Sequence, residues 1–134
     1  MKKATYFLSF ALLLGDNASA ASWRSAGEGE DGTFAQFDTE SFKATDDIAT
    51  VWIAYDFSAN NTESARSAKS RIEIDCREHT VRTLSIIRYS RTGAILQDNS
   101  TPFSSFGSII PDSLGDNIAK TICSYKDLRA RVLR

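Results

Sequence analysis

Two cysteines, one histidine and a short basic run are the residues with chemistry to offer. Cys76 closes the segment Ser70-Arg71-Ile72-Glu73-Ile74-Asp75-Cys76, in which Ile72, Ile74 and Cys76 alternate with Glu73 and Asp75. A period of two is that of a strand with one dry face, so the thiol points to the core side. Cys123 falls on the apolar stripe of the last helical pattern. In a chain with an export leader, two cysteines form a bridge far more often than a metal site or a nucleophile. The expectation is a Cys76–Cys123 disulfide that staples a strand to a helix.

That assignment removes most other chemistry. His79 is the only histidine. It lacks a second histidine or a free thiol for a conventional triad, and a one-histidine zinc site would need the two cysteines already bridged. A surface turn suits it better. Glu73 and Asp75 share one strand face, which is ordinary for a solvated face. The chain has neither a Gly-rich phosphate loop nor a Gly-x-Ser-x-Gly elbow. The sequence reads as a non-enzyme with no cofactor and no metal.

Binding is the remaining class. Arg66, Lys69 and Arg71 crowd the start of the cysteine strand and are the candidate ligand-binding residues. The plainer alternative is a solvated basic segment that keeps an edge strand from aggregating. A second candidate lies on the strand Val81–Tyr89, where alternation puts Arg82, Leu84, Ile86 and Arg88 on one face. Val81, Thr83, Ser85, Ile87 and Tyr89 take the other. A helix can cover only one of these faces, so an uncovered Leu/Ile/Arg or Tyr-containing patch is a possible partner site.

The elements that must position these residues follow in chain order. Trp23 opens the domain. Glu28-Gly29-Glu30-Asp31-Gly32 is an acidic hairpin turn that lacks the regular oxygen alternation of a calcium loop. Thr33–Phe37 reads as a strand with Phe34 and Phe37 supplying bulk, and Asp38–Phe42 as a turn. Ile48–Phe57 is the clearest strand: Val51, Ile53, Tyr55 and Phe57 share one face, and Trp52 makes the other partly apolar, so it is expected at the sheet centre. Ser90–Gly93 is a tight hairpin turn, Ala94–Gln97 a return strand and Asp98–Ser108 a polar loop. Pro111-Asp112-Ser113 starts a helix, with Asp116 as the acidic group of its first turn. Leu114, Ile118, Ile122, Tyr125, Leu128 and Val132 recur at helical spacing along its apolar face.

Length and address bound the rest. The 134 residues suffice for one domain. Met1-Lys2-Lys3, the short apolar run Tyr6–Leu14 and Ala18-Ser19-Ala20 together form a secretory leader, residues 1–20, with a single domain over 21–134. No cysteine follows the cleavage position, where Ala21 stands, so no lipid anchor is expected. No run of about 20 apolar residues is present to span a membrane. Without the leader, 14 basic residues (16 less Lys2 and Lys3) face 16 acidic ones (17 less Asp16). That balance gives no reason to expect nucleic acid. The expected product is an exported protein, periplasmic or secreted.

The order of several short motifs is familiar. Asp38-Thr39-Glu40-Ser41-Phe42 after an aromatic strand, Ala65-Arg66-Ser67 leading to Cys76, and Pro111-Asp112-Ser113 followed by Ile122-Cys123 resemble the surface-adhesin protein E family, over roughly Trp23 to Tyr125. The resemblance implies a curved antiparallel sheet with a C-terminal helix tied to its concave face by a disulfide. It also implies a homodimer and a protein partner from the host matrix or serum, such as vitronectin or laminin, and it makes the basic segment of Arg66, Lys69 and Arg71 the place to look. The chain departs from the lipid-anchored adhesin at Ala21, and Thr62-Glu63 dilutes the local positive charge. The fold class expected is therefore α+β, an antiparallel sheet of about six strands with one helix on one face. The function expected is exported, non-catalytic binding. One rival is a periplasmic inhibitor or accessory protein docking on one enzyme through a protruding loop such as Asp98–Ser108. The other is a hydrolase, which would need carboxylates or His79 to converge in a pocket.

Overall fold

The computed structural model describes residues 20–100 and 104–133. The expected leader, apart from Ala20, lies outside the described residues. Eight strands and one helix follow: β1 (Trp23–Glu28), β2 (Phe34–Asp38), β3 (Lys43–Thr45), β4 (Ile48–Asp56), β5 (Ser67–Asp75), β6 (Thr80–Tyr89), β7 (Ile95–Ser100), β8 (Gly107–Ser108) and α1 (Leu114–Val132). Six of the strands form one antiparallel path in the order β1-β2-β4-β5-β6-β7. The two additional strands are short: β3 pairs with the start of β4 and β8 with the start of β6.

Alternation sorts the sheet into two faces. Ala35 and Phe37 of β2, Ala49, Val51 and Ile53 of β4, and Ile72 and Ile74 of β5 point to one side and are buried. There they meet Ile118, Ala119 and Ile122 of α1 in a single core. Phe34 takes the opposite face and is exposed, so Phe37 alone supplies the aromatic bulk expected of that strand. Phe37 and Phe42 both pack edge-on against Tyr125 of the helix. The helix is close to β1 because Gly27 makes room: a Cβ there would stand 3.1 Å from the Cβ of Asn117, and the φ of Gly27 is +142°.

One register shift matters for β6. Arg71 pairs with Ser85 but Ile72 pairs with Thr83, so Leu84 is an extra residue in a β-bulge. Past that point the alternation inverts. Val81, Thr83, Ile86 and Arg88 take the helix side, whereas Arg82, Ser85, Ile87 and Tyr89 take the open side. Uninterrupted alternation would have put Ile86 with Arg82. The return strand β7 runs on to Ser100, three residues past the expected Gln97. The far end of the loop is fastened back to β6: the Ser104 hydroxyl bonds the Thr83 carbonyl at 2.5 Å, and the Arg82 guanidinium lies 4.6 Å from the Phe106 ring centre.

The helix is held to the β5–β6 turn at two points. Cys76 and Cys123 are bridged, with an S–S distance of 2.06 Å and Cα atoms 5.8 Å apart. Two turns earlier on the same helix, the buried Asp116 carboxylate gathers its partners. His79 Nε2 lies 2.9 Å from Oδ1, while Lys120 Nζ and the Asp112 backbone N–H donate to Oδ2 at 2.8 and 2.9 Å. Ser113 caps the helix, its Oγ accepting from the Asp116 N–H at 3.2 Å. His79 is thus the exposed turn histidine expected, with φ +53°, but its ring is committed to the helix. The Lys120 hydrogen bond, then those from Asp112 and His79, bring the Asp116 carboxyl down to a pKa of about 2.

Two tests follow. The bridge closes a span of 47 residues, and cutting it should cost about 2–4 kcal/mol of unfolding free energy. Urea titrations with and without reductant measure this, and coincident midpoints would contradict it. Because the folded Asp116 pKa lies below its ordinary 3.8, its contribution is complete above that value and disappears as pH falls towards 2. Asp116→Asn should melt below the native protein at pH 6, with the gap narrowing between pH 4 and pH 2. A gap independent of pH would refute that role.

Candidate functional site

The candidate cations sit on the face of the sheet that the helix leaves open. Lys69 and Arg71 alternate with buried Ala68, Ser70 and Ile72 along β5, so both project away from the core and are exposed. In register, Arg71 stands beside Trp52 of β4, and Lys69 beside Ala54. Ala54 is small, and the Lys69 ammonium reaches over it to within 5.8 Å of the Trp23 ring centre. Trp52 and Trp23 are both half-buried on this face. Arg66 lies just before β5, its backbone fixed by bonds to Phe57 and Tyr89. Asp56, opposite Ser67 and near Arg66, has its carboxyl held below the usual carboxylate range, chiefly by the Ser58 hydroxyl and N–H, with the Arg66 charge adding to them. Among the described residues, Arg66, Lys69 and Arg71 make no ion pair, whereas the neighbouring Glu73 is taken by Arg82 at 2.6 Å. The sequence brought the three together in one segment; the structure puts Lys69 and Arg71 on one face and leaves Arg66 at its rim.

A second feature was not foreseen. The helix covers the β1–β2–β4 half of its face, and beyond its N-terminus a cleft of about 400 Å³ opens over β5 and β6. Tyr55 and Phe57 form one wall, their rings parallel with centres 6.1 Å apart, and Thr83, Ile86 and Arg88 form another. Arg88 is ion-paired with Glu63, whose carboxyl is kept low first by the Ala65 N–H and then by Arg88. Burial pushes the Tyr55 phenol up to about 12, so it stays neutral at any physiological pH and can only exchange hydrogen bonds. Only the Leu84 bulge brings Ile86 and Arg88 to this side. Nothing in the periodicity of Val81–Tyr89 marks it.

His79 and Asp116 are hydrogen-bonded to each other, as the base and orienting group of a triad are. Both thiols are in the bridge, and the Ser113 hydroxyl is spent as the helix cap and on the Ile110 carbonyl. Among the described residues, no three His, Cys, Asp or Glu side chains gather as metal ligands. No described helix is long and apolar enough to cross a membrane. What the arrangement offers is surface: cations and indole rings on one side, a small mixed cleft on the other.

A search of curated proteins returns no match. Among solved structures, the chain is similar to crystal form II of Haemophilus influenzae protein E, at 15% identity and a TM-score of 0.47, over 68% of this chain and 80% of that one. The family model of surface-adhesin protein E matches residues 23–124, more than half of the sequence. The chain belongs to the surface-adhesin protein E family.

Proposed function

We propose that this protein is an exported, non-catalytic binding protein that engages a protein partner through the open face of its sheet. The observation that carries the reading is the pair Lys69 and Arg71, unpaired among the described residues, projecting beside Trp52 and Trp23. Exposed cations of this kind steer an acidic partner in and set the salt dependence of association, while half-buried aromatic rings hold the complex once formed. Arg66 extends the charge at the rim. Family membership makes a host extracellular protein, of matrix or serum, the partner class to try first. It also supports the removal of residues 1–20 on export.

The test is replacement of Arg66, Lys69 and Arg71 together by Ser. All three are exposed and make no ion pair among the described residues, so the melting temperature should hold. If each exposed cation contributes about 0.2–1 kcal/mol, affinity for vitronectin or laminin should drop between about threefold and a hundredfold, and its salt dependence should flatten. Undiminished binding by the variant would reduce the segment to a solvated strand. Failure of the native protein to bind either ligand would remove the adhesin reading in favour of a periplasmic protein docking on one enzyme.

A further inference from the structure

The far end of the helix makes a third feature, unrelated to the open sheet face. The stripe of α1 that covers the core runs on past it. Every residue from Asp127 to Leu133 is exposed, and Val132 and Leu133 are 82% and 77% accessible. Such an apolar end is costly to leave in water. Opposite it runs β3, whose only pairing partner in the sheet is β4, so its outer backbone groups have no strand partner among the described residues. Between the two lies a groove of about 560 Å³.

The lining shows what shape fits. On one wall, residues 42–46 all contribute in succession. The middle three, Lys43–Thr45, are β3, and because successive side chains of a strand face opposite ways, all three border one groove through the edge of the strand. On the other wall stand Lys126, Arg129, Ala130 and Leu133, the positions i, i+3, i+4 and i+7 of a single helical stripe. Phe42, buried, makes the floor, with the Arg129 guanidinium 5.5 Å from its ring centre. Lys43, Lys126 and Arg129 outnumber Asp46, and none of the three cations has an ion pair among the described residues.

We propose that this groove takes up an extended, acidic segment of a partner protein, added as a strand to the outer edge of β3. The strand edge supplies main-chain hydrogen bonds, which give affinity without regard to sequence. Specificity comes from alternate side chains: Ala44 pairs with buried Ala49, so it and Phe42 look to the helix side. An incoming strand would place every second residue there against Ala130 and Leu133. Carboxylates at those helix-facing positions would meet Lys126 and Arg129, and one at an intervening position would meet Lys43, which points to the open face.

The full-length exported protein, labelled with nitrogen-15, can be titrated with the acetylated, amidated peptide Glu-Val-Asp-Leu-Glu. Amide shifts are expected at Ala44 and Thr45 and along 126–133. Methylating alternate backbone nitrogens of the peptide should weaken binding at least about tenfold by removing the strand pairing, with no change to the protein. Exchanging its acids for lysine should abolish binding, and Lys126→Glu with Arg129→Glu should weaken the acidic peptide at least about tenfold. The absence of shifts at millimolar peptide, or equal binding of the methylated form, overturns the proposal. Shifts at the same residues on concentrating the protein alone would make the occupant a second copy and overturn it too. So would broadening of those signals by phosphatidylglycerol vesicles with no response to peptide.

Discussion

One helix has to close the core of an eight-stranded sheet, and most of the rest follows from how that helix is held. A sheet of this width presents far more surface than a helix of 19 residues, about 28 Å long, can cover. Among the described residues the core rests on Phe37, Phe42, Val51, Ile53, Ile72, Ile74, Ile118 and Ile122, with alanines between them. Burial of that size leaves little margin over the entropy of ordering the chain. The ties to the β5–β6 turn answer that deficit. Cys76–Cys123 limits the unfolded chain, and His79–Asp116 fixes the helix seven residues earlier, so one turn is fastened to one helix at two levels.

The tied elements were the legible ones. Ile72, Ile74 and Cys76 alternate cleanly, Ser113 and Asp116 announce a helix start, and Ile118 and Ile122 recur at helical spacing. Each is a local pattern that the final structure uses unchanged. The misread parts are those in which pairing, not sequence, decides. Nothing in Thr83-Leu84-Ser85 distinguishes a bulge from plain strand, because the shift is defined by which residues of β5 stand opposite. Strands β3 and β8 comprise three and two residues and have no periodicity to read. Asp116 was visible as a helix-start acid, but its burial depends on His79, 37 positions away, and on a lysine one turn on.

The candidate site divides in the same way. Arg66, Lys69 and Arg71 could be named from the sequence because they lie within one six-residue segment, and strand alternation already gave 69 and 71 one direction. Their aromatic neighbours could not be named with them. Trp52 and Trp23 come from β4 and β1, and only the strand order β1-β2-β4-β5 brings them to the same face as Lys69, with the small Ala54 beside it. The Tyr55–Arg88 cleft is further still from the sequence, since it exists where the helix stops and where a bulge turns two side chains inward.

Incomplete cover therefore links the architecture to its use. A sheet roofed on both faces would bury its apolar residues and offer a partner only loops. Here the one described helix covers only part of one face, and its own last two turns stay in contact with water. The uncovered side chains are of two kinds. On the open face the strands are already paired, so the partner proposed there would meet side chains alone, with Lys69, Arg71 and the indoles to supply attraction and grip. At β3 the outer backbone edge has no strand partner among the described residues, and the segment proposed there would add a strand whose hydrogen bonds repeat those of the sheet. The first kind of contact weakens with salt, because it rests on exposed charge. The second keeps its main-chain bonds when salt screens Lys43, Lys126 and Arg129, so the two surfaces are separable by ionic strength even when a single partner spans both.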